Sequence, residues 1–124
     1  MSTYSFSRRE RLSSRRSIEL VFKKGKRYSS EGFSLFVLPN DVGCNRFMCT
    51  FKRGFGKAVE RNRVRRVFKE IYRQNKSCFK NSFDIVLLLS KGFSKVDVGF
   101  ETQVASFVKV FKRADLFECV NLRL

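Results

Sequence analysis

The chain has 124 residues, which is enough for one domain with a single hydrophobic core. Lys and Arg number 27 against 11 Asp and Glu, and the formal net charge of +16 opposes compaction unless a polyanion neutralises it. There is no histidine, which removes histidine-based catalysis, and the acidic residues are scattered, so the sequence does not indicate a catalytic carboxylate pair. We therefore expect a soluble, globular binding protein whose polyanionic partner is a nucleic acid.

The sequence also argues against a membrane partner and a zinc site. Its longest apolar run, Ile85–Leu89, is far too short to span a bilayer. The basic N-terminus is not followed by the apolar stretch of a secretory signal. Because there is neither a Cys-x-x-Cys pair nor a histidine, we expect no zinc site and free thiols in a reducing cytoplasm. The four cysteines are Cys44, Cys49, Cys78 and Cys119.

The first quarter of the chain predicts an extended segment followed by a helix. Residues 1–13 are polar and basic, and we expect them to be extended or flexible. A helix should follow with Ser14 or Ser17 as its N-cap, and it should end at Gly25. The apolar positions that follow helical spacing in this segment are Ile18, Val21 and Phe22.

Two strand-like runs follow, Phe33–Leu38 and Phe47–Phe51, separated by turn residues around Pro39. We expect the two strands to pair as a hairpin. Side chains alternate between the two faces of a strand. The first strand therefore presents Phe33, Leu35 and Val37 on one face and Ser34, Phe36 and Leu38 on the other. The second presents Phe47, Cys49 and Phe51 on one face and Met48 and Thr50 on the other.

The second half of the chain predicts a helix, a strand and a helix. The first helix spans roughly Ala58–Asn75, and its core stripe is Val64, Val67, Phe68, Ile71 and Tyr72. Phe83–Leu89 is almost continuously apolar, as is typical of a fully buried strand. The last helix, roughly Asp97–Arg113, has a stripe of Phe100, Val104, Phe107, Val108 and Phe111. The expected fold is a single α+β domain over residues 1–124, in the order α-β-β-α-β-α, with room for one short further strand.

The helix over Ala58–Asn75 carries the strongest functional pattern. Arg61, Arg65 and Lys69 are four residues apart and therefore share one face, where their like charges repel each other unless a phosphate backbone lies alongside. Arginine predominates, which suits bidentate contacts to phosphate. The alternative is a solvated basic face, although Lys52–Arg73 holds nine basic residues against two acidic ones. Just before the helix, Gly54 and Gly56 indicate either a simple turn or a close backbone approach to a phosphate.

The run Gly56–Arg66, with Phe68, Glu70 and Arg73 after it, resembles the signature of the bacterial ribonuclease P protein, whose hallmark is an Arg-Asn-Arg helix. Further segments are similar to that family over almost the whole chain. They are Phe6, Arg11-Leu12, Val21-Phe22, Gly25-Lys26-Arg27, Asp84-Ile85-Val86 and Ser106 to Arg113.

The resemblance implies an α-β sandwich with a left-handed β-α-β crossover, which is an exception to the usual right-handed connection. It implies the accessory subunit of a ribonucleoprotein endonuclease that removes the 5′ leader from precursor tRNA. Catalysis and the Mg²⁺ ions would belong to the RNA subunit, with no catalytic protein residue, no metal ligand and no organic cofactor. The protein would bind the leader and promote Mg²⁺ binding in the holoenzyme. No obligatory protein partner is expected.

The resemblance also implies two sets of binding residues. Those expected to contact the catalytic RNA are Arg53, Lys57, Arg61, Asn62, Arg63, Arg65, Arg66 and Lys69. Those expected to line a cleft for the precursor tRNA leader are Ile18, Phe22, Ser34, Phe36, Thr50 and Lys52. Ile18 stands where the family usually has an aromatic residue, and Gly54 stands where it commonly has Lys or Arg. For Phe22 and Phe36 the alternative role is that of ordinary core residues.

Two other functions would fit the same composition. A general RNA-binding module, such as a ribosomal or RNA-chaperone protein, would share the charge but would not activate a ribonuclease P RNA. An autonomous nuclease would cleave precursor tRNA without any RNA subunit.

Overall fold

The computed structural model describes residues 10–30, 32–75, 79–80, 82–90 and 100–116. Within these residues lie three helices and four strands. In chain order they are α1 (Arg15–Lys24), β1 (Lys26–Ser30), β2 (Phe33–Pro39), β3 (Arg46–Phe51), α2 (Ala58–Asn75), β4 (Phe83–Leu89) and α3 (Phe100–Arg113). The predicted α+β class is confirmed. The first three residues of the predicted last helix, as well as Phe6, Cys78 and Cys119, lie outside the described part of the chain.

The strands form one mixed sheet in the order β1-β2-β4-β3. β2 pairs antiparallel with β1 and with β4, whereas β3 pairs parallel with β4. The predicted hairpin between Phe33–Leu38 and Phe47–Phe51 is therefore wrong. The reason lies in β4, whose Ile85, Val86 and Leu87 are completely buried, so that this strand takes a central place and separates β2 from β3.

The extra strand that the sequence allowed is β1, which pairs with β2 from Lys26 opposite Val37 to Ser30 opposite Phe33. Its Lys, Arg and Ser side chains gave no apolar alternation to indicate a strand. A short charged strand is nevertheless well suited to a sheet edge, because it discourages pairing with other chains.

Helix α1 begins and ends as its sequence predicts. Ser14 is the N-cap, and its side chain accepts a hydrogen bond from the Ser17 N–H. At the other end the Gly25 N–H donates to the Val21 carbonyl. A Cβ atom at Gly25 would lie only 2.4 Å from that carbonyl oxygen, so the close passage from helix to β1 requires glycine.

The sheet has a core on each face, and the strand faces predicted from alternation are confirmed. The main core packs α2 and α3 against Phe33, Leu35 and Val37 of β2 and their neighbours in β3 and β4. A smaller core packs α1 against the opposite face. Its buried members are Leu12, Val21, Phe36 and Val86, with Ile18, Leu38, Met48 and Leu88 packed against them.

Residues 10–12 pack onto the outer edge of β3. Arg11 forms a parallel bridge with Phe47, and the Leu12 N–H donates to the Phe47 carbonyl over 2.8 Å. The Tyr72 hydroxyl donates to Oε2 of the buried Glu10 over 2.5 Å. Burial, followed by the hydrogen bond to Glu10, raises the pKa of Tyr72. These contacts join the chain before α1 to both β3 and α2.

An ion pair between the half-buried Arg46 and the buried Asp84 ties the start of β3 to the start of β4. Arg46 donates from Nε and Nη2 to the two carboxylate oxygens of Asp84, each over 2.7 Å, and the Asn40 amide donates to the same carboxylate over 2.8 Å. The hydrogen bonds that Arg46 donates to the Asp84 carboxylate raise the pKa of Arg46. The unit β3-α2-β4 joins two neighbouring parallel strands, and the handedness of this crossover stays a prediction.

Candidate nucleic-acid interface

Helix α2 sets its basic residues outward because its apolar stripe is buried. Val64, Val67, Phe68, Ile71 and Tyr72 lie in the main core, as predicted. The polar side of the helix, here called the α2 ridge, consists of Arg61, Asn62, Arg63, Arg65, Arg66 and Lys69. All of these are exposed except Arg61, which is half-buried. Arg53 and Lys57 are exposed in the loop that leads into the helix. All eight residues predicted to contact the catalytic RNA thus lie along α2 and the loop before it.

The ring of Phe51, at the end of β3, contacts two of these arginines. The Arg61 and Arg65 guanidinium carbons lie 5.6 Å and 5.0 Å from the centre of its ring, within the range of cation–π attraction. Arg65 also donates to the Asn62 side-chain oxygen over 3.2 Å. Within the described residues the buried Nε of Arg61 has no hydrogen-bond partner. Sequence reasoning missed the role of Phe51, because alternation alone places it on the core face of a strand.

The two acidic residues of α2 accept hydrogen bonds from groups other than Arg61 and Arg65. The Glu60 carboxylate accepts from the Lys57 N–H over 2.8 Å, at the first turn of the helix. Glu70 accepts from Arg73 and Gln74, and these hydrogen bonds lower its pKa. Since Glu60 satisfies the Lys57 N–H, the simple-turn interpretation of the preceding glycines is favoured. Gly54 has φ +83°, a conformation that glycine adopts without strain.

A second cationic surface, here called the α1 face, lies on the opposite face of the sheet. Phe22 of α1 is 39% exposed and packs edge-on against Phe36, with the ring centres 4.9 Å apart. Phe36 itself is only 8% exposed and belongs to the smaller core. Arg27 lies over the Phe36 ring, 5.6 Å from its centre, and donates to the Ser34 hydroxyl over 3.1 Å. The accessible aromatic group of this face is therefore Phe22, with Ile18 half-buried beside the same core.

Strand register aligns the remaining predicted leader residues. Ser34 of β2 and Thr50 of β3 both lie opposite Leu88 of β4, so the three form a row across the sheet. The exposed Lys52 and Arg27 lie at either side of this row and line a cavity of about 180 Å³ together with Ser34. Sequence reasoning missed Arg27 because β1 was not recognised as a strand. Its position directly after α1 was the available signal.

The described part of the chain offers neither a metal centre nor a membrane span. No group of three or more His, Cys, Asp or Glu side chains there could hold a metal ion. None of its helices is long and apolar enough to cross a bilayer. Cys44 and Cys49 are free thiols, and Cys49 packs against the main core.

Comparison with known proteins shows the family of this chain. The family model for ribonuclease P matches residues 6–115. The ribonuclease P protein component of Thermotoga maritima is 39% identical over 117 residues, which cover 91% of this chain and 98% of that protein. The protein component from Petrotoga mobilis is 35% identical, with 88% and 97% of the two chains covered.

Solved structures share the fold. The RNase P protein from Thermotoga maritima gives a TM-score of 0.75 at 37% identity and covers 84% of this chain and 96% of that one. The RNase P protein from Staphylococcus aureus gives a TM-score of 0.79 at 23% identity, with 87% and 97% covered. Proteins of this kind take part in tRNA processing together with a ribonuclease P RNA, as components of an endoribonuclease. The chain belongs to the family of ribonuclease P protein components.

Proposed function

We propose that this protein binds two RNAs at once: the ribonuclease P RNA through the α2 ridge and the 5′ leader of precursor tRNA through the α1 face. The observation that carries the proposal is the placement of these two cationic surfaces on opposite faces of one sheet. Such an arrangement lets the leader and the RNA subunit approach without competing for the same side chains.

On the α2 ridge, the guanidinium groups suit a phosphate backbone. Each arginine can donate two parallel hydrogen bonds to a phosphate, and none of the ridge arginines forms an ion pair within the described residues. Phe51 restrains Arg61 and Arg65, so less side-chain entropy is lost when they bind. The ridge would supply counter-charge to the RNA where its phosphates crowd together.

On the α1 face, the chemistry suits a single strand of variable sequence. The exposed Phe22 ring offers a stacking surface to any base, whereas Arg27 and Lys52 can contact the backbone. The Ser34 and Thr50 hydroxyls lie between these groups. Because stacking does not read base identity, such a surface would accept many different leaders.

Catalysis is assigned to the RNA subunit. The sequence has no histidine, and within the described residues no group of three or more His, Cys, Asp or Glu side chains could hold a metal ion, which supports placing the hydrolysis on the RNA. Mg²⁺ held by the RNA would supply the Lewis acid for that hydrolysis. By neutralising neighbouring phosphates, the α2 ridge would reduce the Mg²⁺ concentration that the RNA needs.

Reconstitution tests this function. The purified protein is mixed with a bacterial ribonuclease P RNA and a precursor tRNA at low salt and low Mg²⁺. We expect the protein to restore 5′ cleavage by the RNA and to show no cleavage alone. Equal affinity for the ribonuclease P RNA and for an unrelated transcript of the same length would contradict the assignment and favour a general RNA-binding protein. Cleavage by the protein alone would favour an autonomous nuclease.

A further inference from the structure

A third surface lies at the free edge of β3, between the two described above. Residues 11–13, β3 and α2 enclose a groove of about 300 Å³, here called the β3-edge groove. Its apolar floor includes Leu12, Phe47 and Phe68, all of them buried. Its rim carries the exposed cations Arg11, Arg65 and Lys69, and none of the described acidic side chains lines it. A groove of this volume, apolar below and cationic above, suits a small planar anion.

The backbone of β3 adds hydrogen-bonding groups to this groove. The Phe47 carbonyl points to the outer edge, because it accepts from the Leu12 N–H. Alternation along a strand turns the N–H and C=O of Cys49 to the same side. Within the described residues no hydrogen bond reaches these two groups, and Cys49 lines the groove. The groove thus presents a donor and an acceptor side by side next to an apolar floor.

We propose that the β3-edge groove holds one unpaired adenosine nucleotide of the ribonuclease P RNA. Adenine has an acceptor nitrogen and an amino donor on one edge, which complements the N–H and C=O of Cys49. Cytosine presents the same pair of groups, but the two fused rings of adenine offer the larger flat apolar surface to a groove of this volume. Its phosphate lies within the reach of Arg65 and Lys69, which also belong to the α2 ridge. A protein strand is the weaker occupant, because the free edge beyond Leu12 is shorter than the usual five or six residues.

The inference rests on the proposed function, since the RNA that fills the groove is the one that the α2 ridge binds. Because Arg65 and Lys69 belong both to the groove and to the α2 ridge, the nucleotide in the groove is expected to come from the RNA subunit. The leader, in contrast, is assigned to the α1 face, where Phe22 and Arg27 lie. The groove would give the protein one base-specific contact, whereas phosphate contacts alone carry no sequence information.

The first experiment needs no variant. Backbone amide signals of the ¹⁵N-labelled protein are followed by NMR during titration with adenosine monophosphate, with cytidine monophosphate and with inorganic phosphate. We expect adenosine monophosphate to shift the Cys49 amide, and phosphate to shift only signals near Arg65 and Lys69. A Cys49 amide that responds equally to all three would overturn the choice of adenine.

The second experiment uses the complex with the RNA subunit. Cys49→Met places a longer apolar side chain where the groove borders the main core, and Cys44→Met is the matched control, because Cys44 lies outside the groove. Urea unfolding of both variants shows that the fold is kept before their RNA binding is compared. Cys49→Met should weaken RNA binding roughly tenfold, the size of one lost stacking contact, and leave its salt dependence unchanged. It should also expose to dimethyl sulfate one adenosine of the RNA subunit that the wild type protects. Cys44→Met should do neither.

The outcomes separate the inference from the function on which it rests. If the wild type fails to bind the ribonuclease P RNA at all, the proposed function falls. If the wild type binds but protects no adenosine, or if both variants leave the same adenosine protected, the groove inference alone falls. Protection of an adenosine in the leader, in place of the RNA subunit, would also refute it.

Discussion

The contact of two arginines with one aromatic ring predicts that Phe51→Leu weakens binding of the ribonuclease P RNA without removing any charge. Arg61 and Arg65 lie 5.6 Å and 5.0 Å from the Phe51 ring centre. Leucine keeps apolar volume at the end of β3 but offers no ring face. Each cation–π contact contributes about 0.5–1 kcal/mol at such a site. Without the ring, each arginine side chain has to be ordered when the RNA binds, which costs a comparable free energy. We expect a loss of about 1–2 kcal/mol, or roughly 5- to 30-fold in Kd.

The assay measures Kd for the RNA over a range of salt concentrations. Phe51→Leu keeps both arginines, so the slope of log K against log salt should stay close to that of the wild type. Arg65→Ala removes a phosphate contact, and the slope should fall by about 0.7–0.9. Phe83→Leu is the matched control, since Phe83 packs against the same core and no arginine of the described residues lies over its ring. It should bind RNA as the wild type does.

The decisive measurement is the energetic coupling between Phe51 and the two arginines. In a protein that already carries Arg61→Ala and Arg65→Ala, Phe51→Leu should have almost no further effect on Kd, because the ring then has no guanidinium to hold. An undiminished effect in that background would show that Phe51 does not act through the two arginines, and so would wild-type affinity of the Phe51→Leu single variant.

Four further outcomes follow from the structure. Phe22→Ala should weaken binding of precursor tRNA by about 1–3 kcal/mol, while affinity for mature tRNA, which lacks the leader, stays constant. Equal losses for the two RNAs would contradict the proposal that the α1 face binds the leader. Arg65→Ala should raise the Mg²⁺ concentration needed for half-maximal cleavage by the holoenzyme, and an unchanged Mg²⁺ requirement would exclude the counter-charge role. Burial raises the pKa of Cys49 to about 12, so only a very small fraction of this thiol is ionised at pH 8, and peptide mapping after brief iodoacetamide treatment at that pH should find Cys49 unmodified until the protein is unfolded. Asp84→Ala leaves Arg46 without its carboxylate partner and should lower the free energy of unfolding in urea by about 3 kcal/mol; a loss below about 1 kcal/mol would show that the ion pair is unimportant.

Side-chain periodicity was sufficient to predict most elements and their buried faces. The bounds of α2 and β4 agree with the prediction, and so do the two faces of β2, because burial imposes a period of 3.6 on a helix and of 2 on a strand. The α2 ridge was predictable for the same reason, since a helix that buries Val64 and Phe68 must expose Arg65 and Arg66.

Strand pairing, in contrast, was decided by the tertiary structure. Pairing joins residues far apart in sequence. The most apolar strand, β4, lies between β2 and β3 and pairs with both, whereas a local hairpin would have paired β2 with β3 directly. Strand β1 forms because β2 offers it an edge, although its own residues carry no apolar pattern. The same placement brings Phe51 under two arginines of α2 and sets Arg27 over Phe36. Charge, apolar character and helical spacing can be read from the residues alone. Which side chains touch depends on long-range packing, because only the folded sheet brings the end of β3 against α2 and the edge of β1 against the α1 face.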